Sequence, residues 1–226
     1  MTPPEEGQVI LIDKDIDWTS FNVVKKIKWL LLNKYRIKKL KVGHAGTLDP
    51  LATGLVIVCT GKKTKTIEKY QAEEKEYLAT IKLGATTPSF DLETEIDQKF
   101  EYEHIKRDDV LKILDGFIGN QNQIPPVFSA KNINGKRAYE YARKGIDVEM
   151  KVSRITISEL ELIDFNPPDL KLRIVCSKGT YIRALARDIG ERLQSGGHLT
   201  ALRRIRIGEY KVEDSLKIKD YEASII

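Results

Sequence analysis

The sequence predicts an α/β protein of the α+β kind, a mixed and mainly antiparallel sheet flanked by helices. Three observations carry this expectation. Short apolar or alternating segments recur from one end of the chain to the other. Helical patterns fall between some of them but not all, so the regular alternation of a doubly wound sheet is missing. The longest apolar runs are far shorter than a membrane span.

The elements follow in order. VILID (9–13) reads as a short buried strand. WTSFNVVKKIKWLLL reads as a helix capped at Thr19 or Ser20, with Phe21, Val24, Ile27 and Leu31 at helical spacing. GHAGTLDPLATG (43–54) is a glycine-rich turn, and LVIVC (55–59) is a buried strand. KKTKTIEKYQ suggests a short basic helix, while EYLATIKLG (76–84) alternates as a strand with one wet face does. SFDLETEIDQKFEYEH is acidic and turn-rich, an exposed insertion or hairpin. DDVLKILDGFIG is helical, ending near Gly116 or Gly119. Pro125 and Pro126 bar NQIPPVFSAK from a central strand. KRAYEYARKG predicts a short helix ending at Gly145. SRITISELELIDF and LKLRIVCS predict strands, and GTYIRALARDIGERLQ predicts a helix with Ile182, Leu185, Ile189 and Leu193 on one side. LTALRRIRIGEYKV predicts a closing strand.

At 226 residues with 41% hydrophobic content the chain can bury a sizeable core. Its two cysteines, Cys59 and Cys176, form no CxxC pair. They suit neither a disulfide framework nor a zinc site, and read as buried thiols in a reducing compartment. The acidic start, MTPPEEGQVI, is unlike a signal peptide. A cytoplasmic location is expected. Net charge is only +5, but its distribution is uneven. Residues 25–41 hold eight Lys or Arg and no acid, residues 171–211 hold ten basic against three acidic, and residues 91–115 hold nine acidic against four basic. Any one run fits a solvated helix face. Two basic runs together favour a polyanionic partner, nucleic acid first.

Several chemistries are excluded. The turn matches neither GxxxxGK[ST] nor GxGxxG. His44, His104 and His198 are widely separated, and no GxSxG is present, so neither a metal nor a cofactor is expected. The turn itself raises a question, because Asp49 is its one carboxylate. Gly43, Gly46 and Gly54 allow close backbone approach, and Pro50 biases Asp49 away from the helical region. An ordinary turn aspartate and a carboxylate fixed for catalysis both fit. CSKGTYIRALARDIG adds Arg183 and Arg187 one helical turn apart, either surface residues or partners for a carboxylate. Tyr77 shares a strand face with Ala79 and Ile81, as a core tyrosine or a functional one.

GHAGTLDPLATGLV, QIPPVFSAKNINGKRAYEYARKG and CSKGTYIRALARDIG are highly specific stretches, and KEYLATIKLGATTP and LRRIRIG are looser ones. Together they resemble the TruB family of tRNA pseudouridine-55 synthases over nearly the whole chain. The resemblance implies a pseudouridine synthase fold with an RNA-binding cleft. It implies one catalytic domain over 1–226, without the C-terminal PUA domain of many relatives. It implies isomerisation of uridine 55 in the tRNA T loop by base flipping, acting on the T-arm without cofactor or metal; a monomer is the default expectation. Asp49 is then the catalytic carboxylate, Tyr77 stacks on the target uracil and Arg183 pairs with Asp49. His44 stacks against the flipped-out region, and Lys14, Asp91, Lys178 and Tyr181 join it in binding RNA. Departures are visible too: DKDIDWTS puts Asp15 and Asp17 where the family has proline and glycine, and Pro88 and Thr94 stand where acid and glycine are common.

Two other functions stand beside the enzyme. A tRNA-binding or tRNA-folding protein would do no chemistry, and Asp15 and Asp17 favour it. A glycoside or nucleoside hydrolase needs a second carboxylate to activate water, and the turn has one.

Overall fold

The computed structural model describes residues 3–129, 131–133, 135–146 and 148–225. In chain order the elements are β1 (Val9–Lys14), α1 (Ser20–Tyr35), β2 (Val42–His44), β3 (Thr53–Thr60), a 3-10 turn (Gly61–Thr66), α2 (Ile67–Ala72) and β4 (Lys75–Leu83). Then come β5 (Ala85–Thr86), β6 (Gln98–Lys99), α3 (Arg107–Asp115), β7 (Gly119–Gln123), β8 (Asn132–Ile133), β9 (Lys136–Arg137) and α4 (Ala138–Ala142). The remainder is β10 (Ser153–Asn166), β11 (Asp169–Cys176), α5 (Ile182–Arg192), β12 (Gly197–Ile207), β13 (Tyr210–Lys211), a second 3-10 turn (Val212–Asp214), β14 (Leu216–Lys217) and α6 (Ile218–Ile225). Two compact units emerge, the first from residues 1–77 and 202–226, the second from residues 78–201.

In the first unit β3 is central. It pairs antiparallel with β1, Ile10 opposite Val58 and Ile12 opposite Val56, and antiparallel with β2, His44 opposite Val58. The end of β12 lies parallel to it, Arg203 opposite Thr53, and β14 runs parallel to β1. Every residue of LVIVC is buried, which explains an unbroken apolar run where alternation would mark a one-sided strand. Leu55, Ile57 and Cys59 share a core with Ala45, Ile207 and Val212. Each fully buried aliphatic side chain there contributes about 1.5–3 kcal/mol.

Helix α1 is capped by Thr19, whose hydroxyl accepts from the Asn22 amide at 2.9 Å, and it ends at Arg36 in the left-handed region (φ 53°). Its buried stripe is Ser20, Val23, Val24, Ile27, Leu30 and Leu31. Phe21 departs from expectation and is exposed. At about 100° per residue it lies roughly 120° from the centre of that stripe, so the true apolar face runs through Val23 and Leu30 instead.

The second unit orders its strands β4-β11-β10-β7. β10 pairs antiparallel with both β11 and β7. β7 is the outer strand and stops at Gln123, before the two prolines. Along α5 and its C-cap, Ile182, Leu185, Ile189 and Leu193 are all buried, as their spacing predicts. The acidic segment forms the small β5–β6 pair, Ala85 opposite Lys99, but its first residues are not exposed: Thr87, Ser89 and Asp91 are buried. Both cysteines are buried and unbridged, and burial pushes the Cys59 thiol up to about 11. Helix α6 and strand β14 follow the predicted closing strand and give no clear sequence signal.

Candidate active site

The glycine-rich turn joins β2 to β3, and its backbone is tied at each end. The Ala45 amide donates to the Ile57 carbonyl at 2.9 Å, and the Ala52 amide donates to the Asp49 carbonyl at 3.1 Å. Gly54 has φ +108°, and a Cβ there would overlap the Arg204 carbonyl and sit 2.8 Å from the Arg204 amide. Only glycine lets β12 approach this closely.

The residues on either side of Asp49 are pinned. Ser20, at the head of α1, accepts the Leu48 amide at 2.8 Å and donates to the Leu48 carbonyl at 3.2 Å. On the other side the Pro50 carbonyl accepts the Lys14 ammonium at 3.3 Å and the Asp17 amide at 2.9 Å. Asp49 itself is half-buried, with Thr47 and Pro50 exposed beside it.

Two buried cations underlie the turn. Arg204 donates to the carbonyls of Leu55 (2.8 Å), Gly46 (3.2 Å) and Thr47 (3.3 Å), so one guanidinium ties two backbone oxygens of the loop to one of β3. Lys14 has no exposed surface, and its ammonium also donates to the Asp15 carbonyl at 2.9 Å. Burial pushes its pKa down to about 8, against the attraction of Asp49, while Arg204 adds to the depression. His44 is half-buried at the end of β2. Its Nδ1 is sealed from solvent without a hydrogen-bond partner, and burial holds its pKa below the ordinary value, which leaves the ring neutral at pH 7. Tyr77 is buried on β4, on the face that Ala79, Ile81 and Leu83 also bury.

In the second unit Arg183 is buried in the first turn of α5. Its Nε lies 3.4 Å from the Asp91 carboxylate, itself buried, and its two terminal nitrogens donate to the carbonyls of Ser89 (3.2 Å) and Phe128 (2.9 Å). Asp91 also accepts the Glu93 amide at 2.9 Å. Tyr181 caps α5 at its start, and the Gln123 amide group brackets it, accepting from its N–H at 2.8 Å and donating to its carbonyl at 3.1 Å. Lys178 is exposed in the preceding turn. The first unit thus brings together Asp49, Lys14, His44 and Arg204 around one turn, and the second brings together Arg183 and Asp91. Among the described residues, no three of His, Cys, Asp and Glu gather as a metal-binding group.

The model of the TruB family pseudouridylate synthase N-terminal domain matches residues 33–182, and that of the tRNA pseudouridylate synthase B C-terminal domain matches residues 183–226. The chain belongs to the TruB family of pseudouridylate synthases. It is 58% identical over 217 residues to tRNA pseudouridine synthase B of Phocaeicola vulgatus, covering 96% of this chain and 92% of that one. It is 52% identical over 228 residues to tRNA pseudouridine synthase B of Flavobacterium johnsoniae, covering 100% of each. Among solved structures it is similar to a chain in the crystal structure of a Cbf5-Nop10-Gar1 complex, with TM-score 0.74 and 27% identity. That match covers 98% of this chain and 55% of the other, so the chain spans little more than half of that solved protein.

Membership in TruB makes the departures in DKDIDWTS worth locating. Asp17 adopts φ +65°, the left-handed region, where the family has glycine. Asp15 pairs with Lys217 at 2.6 Å, and Lys217 also reaches Asp13 at 3.1 Å. Arg203 grips Asp13 with two bonds of 3.0 and 2.9 Å. Sequence reasoning missed Arg204 and Ser20 as supports of the TruB turn. Ser20 does have a signal, since Thr19 and Ser20 compete for the cap and the loser is available elsewhere.

Proposed function

We propose that the chain is a tRNA pseudouridine synthase that isomerises uridine 55 in the T loop, with Asp49 carrying the chemistry. The observation behind this reading is the double pinning of Asp49. Leu48 is held by Ser20, and Pro50 is held by Lys14 and Asp17, so the carboxylate between them is fixed on a rigid backbone. A folding or binding protein has no use for that rigidity around one acid. Both curated relatives described above are named tRNA pseudouridine synthase B.

The reaction breaks the bond from uracil N1 to ribose C1′, turns the base and joins C5 to C1′. The proton on C5 leaves to solvent and N1 takes one up, so nothing is oxidised or reduced. The target nucleotide must first leave its stack. Asp49 then acts on the electron-poor sugar, either as a nucleophile at C1′ or as a base at C2′. Nearby, the Lys14 ammonium contributes positive charge beside an acid and a phosphodiester substrate. Neutral His44 and Tyr77 offer flat rings for stacking against RNA bases. Asp91, Lys178 and Tyr181 are proposed to hold the RNA through the start of α5 and the turn beside it. The protein is expected to act as a monomer on the T-arm, in the cytoplasm.

Tritium release from C5-labelled uridine in unmodified tRNA tests the assignment. Wild-type protein should release label, and Asp49→Asn should release none while binding tRNA within a few fold. Release by Asp49→Asn would remove Asp49 from the chemistry. No release from either protein, with tight binding by both, would leave a folding or binding role.

A further inference from the structure

The outward face of α1 is not explained by the core. Phe21 is 68% exposed and Trp29 56% exposed, two large aromatic rings on a helix that carries no acidic residue. Lys25 and Lys28 are exposed between them. At about 100° per residue, Phe21, Lys25, Lys28 and Trp29 fall within one arc, roughly opposite the buried stripe. The aromatics are separated by eight positions, roughly 12 Å along the axis.

Trp29 is also held in place. The Lys26 ammonium sits 5.0 Å from its ring centroid, and that ammonium is anchored at 2.7 Å by Glu222 of α6. A ring backed by a tethered cation and otherwise open to solvent is an ordered stacking surface.

The helix starts at the catalytic turn. Ser20 precedes Phe21 and is hydrogen-bonded to Leu48, the residue before Asp49. We propose that the outward face of α1, Phe21 and Trp29 with Lys25 and Lys28, is an accessory RNA-binding track that leads away from the Asp49 turn and stacks unpaired bases of the bound RNA. The proposal rests on the RNA-modifying function above and extends it. Aromatic platforms interleaved with lysines suit unpaired nucleotides, which present flat bases and phosphates together. The absence of acid along α1 makes the face electrostatically complementary to a phosphate backbone.

The test uses the full chain and an unmodified tRNA transcript. Equilibrium binding is measured for wild type, Phe21→Ala, Trp29→Ala and Lys25→Gln/Lys28→Gln across a salt series, with tritium release assayed on the same wild-type preparation. Each aromatic variant should bind about five-fold more weakly or worse, the lower end for one missing stacking platform. The double lysine variant should have a shallower salt slope, by about 0.7–0.9 for each phosphate it no longer neutralises. A Trp18→Phe protein, whose remaining tryptophan is Trp29, should show fluorescence quenched by tRNA. The alanine substitutions lie on an exposed helix face, and circular dichroism confirms that each variant is folded. Unaltered affinity in both aromatic variants, with wild type releasing tritium, overturns the track and leaves the function intact. Neither binding nor release by wild type overturns the function and the track with it. Unaltered tRNA affinity, with self-association or binding to phosphatidylglycerol vesicles abolished in Trp29→Ala, overturns the track in favour of a protein or lipid surface.

Discussion

Replacing Arg204 with methionine tests whether the turn is held from beneath. The side chain is 1% exposed, and its guanidinium donates to one carbonyl of β3 at 2.8 Å and to two loop carbonyls at 3.2 and 3.3 Å. A hydrogen bond from a charged donor contributes about 1.5–3 kcal/mol, and the two longer ones fall at the low end. The gross loss is therefore about 5 kcal/mol. Against it stands the relief of no longer burying a cation near Lys14, which Arg204 repels. A net destabilisation of about 3 kcal/mol is expected, read as a lower urea midpoint at constant slope. Methionine roughly fills the volume, so a cavity adds little. Activity should fall further than stability alone explains. With Gly46, Thr47 and Leu55 released, Asp49 loses its fixed position, and displacement by about 1 Å costs about 100-fold in rate. The assay is single-turnover tritium release at a temperature where the variant is fully folded. Turnover within three-fold of wild type, in a variant destabilised as expected, would refute the idea that Arg204 positions the turn.

Three further outcomes follow from the same geometry. Gly54→Ala should destabilise by more than about 3 kcal/mol, because the new Cβ meets the β12 backbone at a positive φ; an unchanged thermal midpoint would contradict the close approach. Arg183→Met should cost about 3–5 kcal/mol, since it leaves the buried Asp91 carboxylate without this guanidinium. Adding Asp91→Asn should recover part of that loss, and strict additivity of the two changes would exclude the pairing. Lys14 titrates near pH 8 when folded and near 10.4 when unfolded. Between those values the unfolded chain binds the extra proton, so this group's contribution to stability rises with pH, by about 3 kcal/mol at most. The stability difference between wild type and Lys14→Met should shift in wild type's favour from pH 8 to 10, and a flat difference would refute the burial of the charge.

The fold was legible wherever one face of an element is buried. The α5 stripe and the alternation of β4 carry the period of their structure, and LVIVC, buried on both faces, was legible as an unbroken apolar run instead. Phe21 misled because Phe21, Val24, Ile27 and Leu31 also keep helical spacing, and a stripe cannot be centred without knowing what covers it. The candidate turn was legible in Asp49 and its glycines, because tight turns constrain residue type. Its supports were not. Arg204 lies in a run of three arginines, two of them only half-buried, and the run reads as one basic surface. What separates Arg204 is a set of backbone carbonyls, which leave no mark on sequence. Lys14 has the same problem, since a lysine caged by carbonyls and a lysine on an RNA face are written alike. Asp91 stands in an acidic segment whose composition signals solvent, and its burial follows from Arg183, distant in sequence.

Asp15 and Asp17 are the strongest sequence argument for a form that binds without catalysing, and the structure answers each in its own terms. Asp15 adds a charge, but Lys217 lies between it and Asp13, and Arg203 takes the other side of Asp13. Two acids meet two bases, and the cluster carries no net negative charge toward a phosphate backbone. Asp17 replaces a glycine, and it takes up the left-handed conformation that glycine adopts readily, a region aspartate tolerates better than most residues. In that conformation its amide points at the Pro50 carbonyl, the same oxygen that Lys14 grips. The altered loop therefore still delivers both donors to the residue after Asp49. A chain drifting toward pure binding would be free to lose one of these bonds, because affinity for RNA needs charge and stacking but no fixed carboxylate. In a loop that departs from the family's pattern at two positions both bonds are nevertheless made, and together they fix the backbone on which Asp49 stands.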